Sequence, residues 1–187
     1  GAAAASRAPL TREAGKPGGL DGTRILSKRD GLAGPVMAAA SGFALGGGGG
    51  LAMACAIRIA SDNAVFAQPE PGLGITAGFG GTQRLPRLIG EGLAKELLYT
   101  TRKIKAEEAK TVGLVNAVYP LEELMSEAQK LAERIAGNAP IAVRATKKAV
   151  NDGMQTDLDS GIAIEADQFG LCFETKDQRG AMEAFLE

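Results

Sequence analysis

The sequence has 187 residues, is 45% hydrophobic, and carries a formal net charge of -1 from 21 basic and 22 acidic residues. This length and apolar content suffice for one buried core, or for one core with a small appendage. The near-neutral charge gives no bulk attraction to nucleic acid or to an acidic membrane surface. The absence of histidine excludes Cys/His metal sites and the Ser-His-Asp and Cys-His catalytic groups.

The cellular setting is suggested by what the sequence lacks. Cys55 and Cys172 lie far apart in apolar, helix-like segments, which predicts buried free thiols in a reducing compartment. No apolar run approaches the ~20 residues of a membrane span, and the start of the chain has no basic region followed by an apolar one. We therefore expect a cytoplasmic protein, or one of an organelle matrix.

The first half of the chain predicts alternating strands and helices. Five consecutive glycines, Gly46–Gly50, precede an apolar segment at residues 51–56 that predicts the start of a buried helix. Residues 68–81 contain two prolines and five glycines, which predicts a loop. Strands are predicted at residues 35–40, 57–60 and 64–67.

The second half predicts helices. The segment from Thr82 is expected to be helical and limited or kinked by Pro86. Apolar residues from Leu121 to Ile135 recur at i, i+3, i+4 and i+7, which predicts a helix with one stripe facing a core. Two further helices are predicted at residues 139–151 and 156–173, and a capping box at Thr175 and Gln178 opens the last one.

Two long segments together resemble the crotonase family, whose members are enoyl-CoA hydratases and isomerases. The first is PVMAAASGFALGGGGGLAMACAIRIA at residues 35–60, and the second is FAQPEPGLGITAGFGGTQRLPRLIG at residues 66–90. A third, shorter match lies at residues 107–116. The tail from Phe169 to Phe185 resembles the short-chain enoyl-CoA hydratases, also called 3-hydroxybutyryl-CoA dehydratases.

The resemblance implies an α/β fold in two parts. Residues 1–137 would form the family's spiral of β-β-α turns with the acyl-CoA site, and residues 138–187 a helical trimerisation region. In the family, trimers commonly pair into hexamers, so a homotrimer or a hexamer is expected. The chain begins partway through the family pattern, with Gly1 and Ala2 where the family's Gly-Ala-Asp turn falls.

The resemblance also implies how a thioester is activated. Two backbone N–H groups converge on the carbonyl oxygen of the acyl-CoA, and one of them lies at a glycine turn beside a helix N-terminus, where the helix dipole favours negative charge. By position, the donors are the amides of Ala2 and Gly47, with Gly46 and Phe79 assigned to the same substrate-binding group. No cofactor is expected, because coenzyme A is part of the substrate, and no metal, nucleic acid or membrane partner is expected.

Hydratases of the family add a pair of carboxylates that hold and activate one water. The second carboxylate is present as Glu70, but Gly50 stands where the first glutamate belongs. Removing one such group forfeits roughly 10²–10⁴ in rate, so impaired hydration is expected. Other departures fall nearby, since the family has Asp at positions 3 and 56, Asn at 41 and Pro at 77.

Three other functions remain open beside a hydratase acting on short-chain 2-enoyl-CoA or 3-hydroxyacyl-CoA. An enoyl-CoA isomerase would need Glu70 alone, and a non-catalytic subunit would only bind acyl-CoA. A dinucleotide fingerprint, Gly72-x-Gly74-x-x-Ala77 with Glu91 beyond it, is the weakest alternative. It requires a preceding strand and a following helix, which the neighbouring prolines and glycines disfavour.

Overall fold

The structure is a computed structural model that describes residues 16–17, 20–21, 23–24, 26, 28 and 32–186. The predicted oxyanion donor Ala2 lies outside these residues. The described chain separates into two compact units, one built on Val36–Met125 and the other on Leu32–Pro35 and the residues from Ser126 onward.

Among its described residues, the first unit contains six short strands: β1 (Met37–Ala40), β2 (Phe43–Leu45), β3 (Ile57–Ser61), β4 (Val65–Ala67), β5 (Ile104–Lys105) and β6 (Ala117–Tyr119). They form two three-stranded sheets, with orders β1-β3-β6 and β2-β4-β5. All pairs are parallel except β4 with β5, and the register aligns Met37 with Ile57 and Phe43 with Val65.

The first four strands alternate between the two sheets. The chain turns a corner at Gly42, whose φ of 59° is favoured by glycine. Its N–H donates to Asn63 Oδ1, in the equivalent corner between β3 and β4, at 3.2 Å. β1 and β2 are followed by a helix before β3 returns beside β1. This is one β-β-α turn of the spiral that the sequence resemblance implies.

The helices of the first unit cover the sheets. A 3₁₀ turn at Glu70–Leu73 interrupts the segment predicted to be a loop. The helices are α1 (Gly47–Ala54), α2 (Gly81–Ile89), α3 (Glu91–Thr100) and α4 (Ala106–Thr111). The core between them joins large side chains such as Phe66, Leu85 and Ile104 with small ones such as Ala60 and Ala94. The small residues let the layers approach closely.

The second unit is helical. Its helices are α5 (Leu124–Ala136), which begins in the first unit, α6 (Pro140–Gly153), α7 (Leu158–Cys172) and α8 (Lys176–Leu186). α6 and α7 pack closely where Gly153 meets Gly161. Thr175 Oγ1 accepts a hydrogen bond from Gln178 N–H at 3.2 Å, as expected for the capping box at the start of α8.

Two predictions need correction. The helix predicted from residue 51 begins at Gly47, so the glycine run is the first turn of α1. The helix predicted from Leu121 begins only at Leu124, and its apolar stripe is narrower than predicted: Leu124 is buried, but Met125 is 68% exposed, and Leu121, before the helix, is 47% exposed. Cys55 is buried and Cys172 half-buried, and both are free thiols. The domain boundary at residues 137 and 138 stays a prediction.

Candidate functional site

The glycine run turns sharply as it leaves β2. Gly46 has φ 53° and ψ -120°, a conformation that residues with a Cβ rarely adopt. Its N–H donates to Ala67 O at 2.9 Å, and its carbonyl accepts the first helical hydrogen bond from Gly50 N–H at 2.8 Å. The first N–H groups of a helix have no intrahelical partner and carry the positive end of the helix dipole. The start of α1, with the N–H of Gly47, is therefore suited to a developing negative charge.

The carboxylate of Glu70 lies against this turn. Its Oε1 is 2.8 Å from the position that a Cβ on Gly46 would occupy, and its Oε2 is 3.7 Å from it. Oε2 is buried, and no described residue donates a hydrogen bond to it. Leaving a buried acceptor without a partner is costly, and a role in binding or catalysis would explain this one. The arrangement brings an acid/base group and a helix N-terminus to one place.

Position 50 faces the loop that follows Glu70. A Cβ on Gly50 would lie 2.8 Å from Phe79 O and 3.3 Å from Phe79 Cβ, so the backbone of this loop packs directly on the glycine. The aromatic ring of Phe79 extends to Gly47, where a Cβ would be 3.8 Å from its Cδ2. Phe79 thus packs against Gly47, the predicted oxyanion donor, and against Gly50, the position where the family resemblance predicts a glutamate.

Gln68 was not among the predicted site residues, although it lies in the second family motif. Its side chain is only 6% exposed, and its Nε2 donates to Gly46 O at 3.4 Å. Its place directly before Pro69 and Glu70 is the one sequence feature that could have indicated it. A small apolar cavity of about 20 Å³ lies beside it, lined by residues such as Met53 and Phe66, and this volume is far too small for an acyl group.

The structure brings together most of the predicted site residues. Gly46, Gly47, Glu70 and Phe79 meet at the start of α1, and Gly50 packs under Phe79. The dinucleotide alternative is wrong: the proposed fingerprint lies in the 3₁₀ turn and the loop after it, and no helix begins until Gly81.

The described residues offer neither a metal site nor a membrane-spanning helix. These residues contain no cluster of three or more His, Cys, Asp or Glu side chains that would hold a metal ion. Within the same part of the chain, no helix has the length and the apolar character needed to cross a membrane.

The sequence matches known proteins along most of its length. The family described as enoyl-CoA hydratase/isomerase matches residues 24–187. A short-chain-enoyl-CoA hydratase of Clostridium acetobutylicum is 54% identical over 173 residues, which are 92% of this chain and 66% of that protein. A crotonyl-CoA hydratase of Syntrophomonas wolfei is 57% identical over 169 residues, 90% of this chain and 65% of its own length. The chain thus spans just under two thirds of these two relatives.

Solved structures of enoyl-CoA hydratases also resemble this chain. An enoyl-CoA hydratase from Bacillus anthracis superimposes with a TM-score of 0.87 at 42% identity, over 96% of this chain and 69% of that one. An enoyl-CoA hydratase from Geobacillus kaustophilus superimposes with a TM-score of 0.92 at 32% identity, over the same two fractions. The fold of this chain is therefore shared with these proteins.

Proposed function

The chain belongs to the enoyl-CoA hydratase/isomerase family, and from this premise we propose that it binds a short-chain enoyl-CoA thioester at the start of α1 and acts on the double bond near the carbonyl. The observation that carries the proposal is the meeting of the Glu70 carboxylate with the Gly46–Gly47 turn. A backbone turn that can donate to a carbonyl oxygen and a carboxylate that can transfer a proton lie side by side. Chemistry at the carbons next to a thioester requires both groups.

The backbone turn would polarise the thioester. The N–H of Gly47 would donate to the carbonyl oxygen, with the Ala2 amide as the second donor expected from the family resemblance. As charge develops on this oxygen, the dipole of α1 stabilises it. Losing one oxyanion donor typically costs roughly 10²–10³ in rate. Glycine at this turn also lets the substrate approach the backbone closely.

Glu70 would move the proton. In hydration, water oxygen bonds to C3 of the 2-enoyl-CoA and a proton is delivered to C2. The family uses two carboxylates for this, and Gly50 supplies none. We therefore propose that hydration by this chain is slower by roughly 10²–10⁴ than with both groups present.

Isomerisation is the second candidate, and a specific observation favours it. Position 50 has no acid, and a Cβ there would lie 2.8 Å from Phe79 O, whereas Glu70 has a buried carboxylate oxygen without a described donor. One carboxylate is sufficient for isomerisation: Glu70 removes a proton from C2 of a 3-enoyl-CoA, and the Glu70 carboxyl, whose proton exchanges with solvent, then delivers a proton to C4 of the resulting dienolate. The double bond then lies between C2 and C3.

The test is a comparison of two substrates. The chain is incubated separately with crotonyl-CoA and with a 3-enoyl-CoA, and products are separated by chromatography. Turnover of crotonyl-CoA to 3-hydroxybutyryl-CoA supports the hydratase, and turnover of only the 3-enoyl-CoA supports the isomerase. Glu70→Gln, which keeps the side-chain size, should lower either activity by about 10²-fold or more. Binding without turnover, unaffected by Glu70→Gln, would replace both by a non-catalytic acyl-CoA-binding subunit.

We also propose that the chain assembles as a homotrimer or a hexamer in the cytoplasm or an organelle matrix. The large apolar side chains exposed on the last two helices support self-association, because monomers rarely expose so many. They include Leu158, Phe169, Met182 and Phe185, which are between 52% and 86% exposed. Light scattering after size-exclusion chromatography tests the assembly, and a monomer at micromolar concentration would contradict it.

A further inference from the structure

Gln68 is a buried polar side chain between the first turns of two helices. Its Nε2 lies 3.0 Å from the position that a Cβ would take on Gly49 in α1. Its Oε1 lies 2.7 Å from the corresponding position on Gly81 in α2. Any larger residue at these two positions would displace it, so the two glycines leave space for one amide group. The side chain thus has a defined position rather than a solvated one.

The amide of Gln68 acts on one peptide group. Its Nε2 donates to Gly46 O at 3.4 Å, and the same oxygen accepts the shorter bond from Gly50 N–H. The Gly46–Gly47 peptide is planar and trans, so its C=O and its N–H point in opposite directions. Any contact that restrains the carbonyl therefore restrains the N–H of Gly47. This matters at Gly46, where no Cβ limits rotation of the backbone.

The same short segment holds the other side of Gly46 and also carries the carboxylate. Ala67 O accepts the Gly46 N–H at 2.9 Å, Gln68 binds the Gly46 carbonyl, and Glu70 follows two residues later. The segment from residue 67 to residue 70 thereby sets the backbone donor and the proton-transfer group relative to each other. A substitution of Gln68 would therefore alter the position of the Gly47 N–H without removing the Glu70 carboxylate.

We propose that Gln68 is a positioning residue, which aims the Gly47 N–H at the thioester oxygen of a bound enoyl-CoA through the Gly46–Gly47 peptide. The inference rests on the proposed function, because that function gives the Gly47 N–H its ligand. Gln68 itself does not touch the substrate. A donor held in place stabilises developing charge without reorganisation, so its loss affects the polarised state more than the bound ground state.

The experiment compares the full chain with Gln68→Met, which keeps the length and volume of the side chain and removes its donor. Crotonyl-CoA labelled with ¹³C at the thioester carbonyl is the ligand, and isotope-edited infrared spectroscopy gives the stretching frequency of the bound carbonyl. The matched control is Gln83→Met, at an exposed position on α2. Turnover of a 3-enoyl-CoA gives kcat and KM separately.

The wild type and Gln83→Met should lower the carbonyl frequency on binding, and Gln68→Met should lower it less. The same variant should reduce kcat by about 3- to 10-fold, the range of one net hydrogen bond, with KM nearly unchanged. A folded Gln68→Met with the wild-type frequency overturns the inference even if its melting temperature falls, because that result describes a purely structural residue.

Two further outcomes are informative. If Gln68→Met does not fold, Gln68→Leu takes its place, since its apolar side chain likewise cannot donate to Gly46 O, and the reduced shift is expected again. If wild-type protein binds crotonyl-CoA without any shift, the oxyanion site of the proposed function fails as well as the role of Gln68. A normal shift in every variant overturns the role of Gln68 alone.

Discussion

Replacing Gly46 by alanine adds one methyl group where the backbone and Glu70 leave little space. The new Cβ would lie 2.8 Å from Glu70 Oε1, and the backbone at φ 53° and ψ -120° is unfavourable for alanine. Strain of this kind costs about 1–3 kcal/mol in the free energy of unfolding. The contact is relieved most cheaply by turning the carboxylate away, so we also expect enoyl-CoA turnover to fall by about 10²-fold.

The assay pairs this variant with Gly48→Ala, two residues along the same run. Gly48 is exposed in α1, and a Cβ there meets nothing within 4 Å, so the helix should gain about 0.5–1 kcal/mol. Urea unfolding followed by circular dichroism gives stability, and conversion of a 3-enoyl-CoA gives activity. In a Glu70→Gln background, Gly46→Ala should cause little further loss of activity. Equal activity and stability in the two alanine variants would refute the reasoning.

Three other predictions concern single side chains. Gly50→Glu should raise the rate of crotonyl-CoA hydration by up to about 10²–10⁴-fold, because it restores the second carboxylate, whereas Gly50→Gln should not raise it. The new side chain displaces the Phe79 backbone and should lower the free energy of unfolding by about 1–3 kcal/mol. A folded Glu variant without any gain in rate would contradict the view that a carboxylate is missing at position 50. Arg58→Met should lower the free energy of unfolding by about 1–3 kcal/mol for each buried carbonyl left without its donor, namely those of Cys55 and Leu114, measured by urea unfolding. Asp157 caps α7, and the backbone N–H and hydroxyl of Ser160 lower the pKa of its carboxyl below the ordinary value of 3.8. The ionised carboxylate therefore stabilises the folded state above pH 3.8, and this stabilisation is lost as the pH falls below it. Asp157→Ala should accordingly lower the melting temperature most above pH 3.8 and less at lower pH, and a decrease independent of pH would contradict this.

Three of the six described strands were predicted, but β2, β5 and β6 and the assignment of the strands to two sheets were not. Short apolar runs bounded by turn residues locate β1, β3 and β4 to within one or two residues. Only two residues separate β1 from β2, and nothing local distinguishes a hairpin from a corner between sheets. Packing against α1, which involves residues distant in the sequence, decides which sheet each strand joins. The β-β-α order of the strands therefore came from the family resemblance and not from local patterns.

The start of α1 was placed too late for a related reason. A run of five glycines has the lowest helix propensity of any residues except proline, so a turn was expected up to Leu51. The contacts of Gly46 with Ala67 and of Gly50 with Phe79 stabilise the helical turn from outside. Tertiary packing overrides propensity at this point.

Glu70 and Gln68 differ in how visible they were. Glu70 has a recognisable motif around it, and its chemistry is expected of a carboxylate. Gln68 owes its place to Gly49 and Gly81, which lie 19 positions before it and 13 after it in the sequence. Burial of a polar side chain by two distant glycines leaves no local periodicity, so only the structure identified it.

Deuterium incorporation tests the central claim, that Glu70 and the Gly46–Gly47 turn act together on an enoyl-CoA. Crotonyl-CoA is incubated in D₂O and analysed by mass spectrometry. Hydration places one deuterium at C2 of 3-hydroxybutyryl-CoA, and proton shuttling through a dienolate places deuterium at C4 of crotonyl-CoA. We predict incorporation at one of these carbons by the wild type, and a loss of about 10²-fold or more in Glu70→Gln. Equal incorporation by both proteins, or none by wild-type protein with bound crotonyl-CoA, would contradict the account.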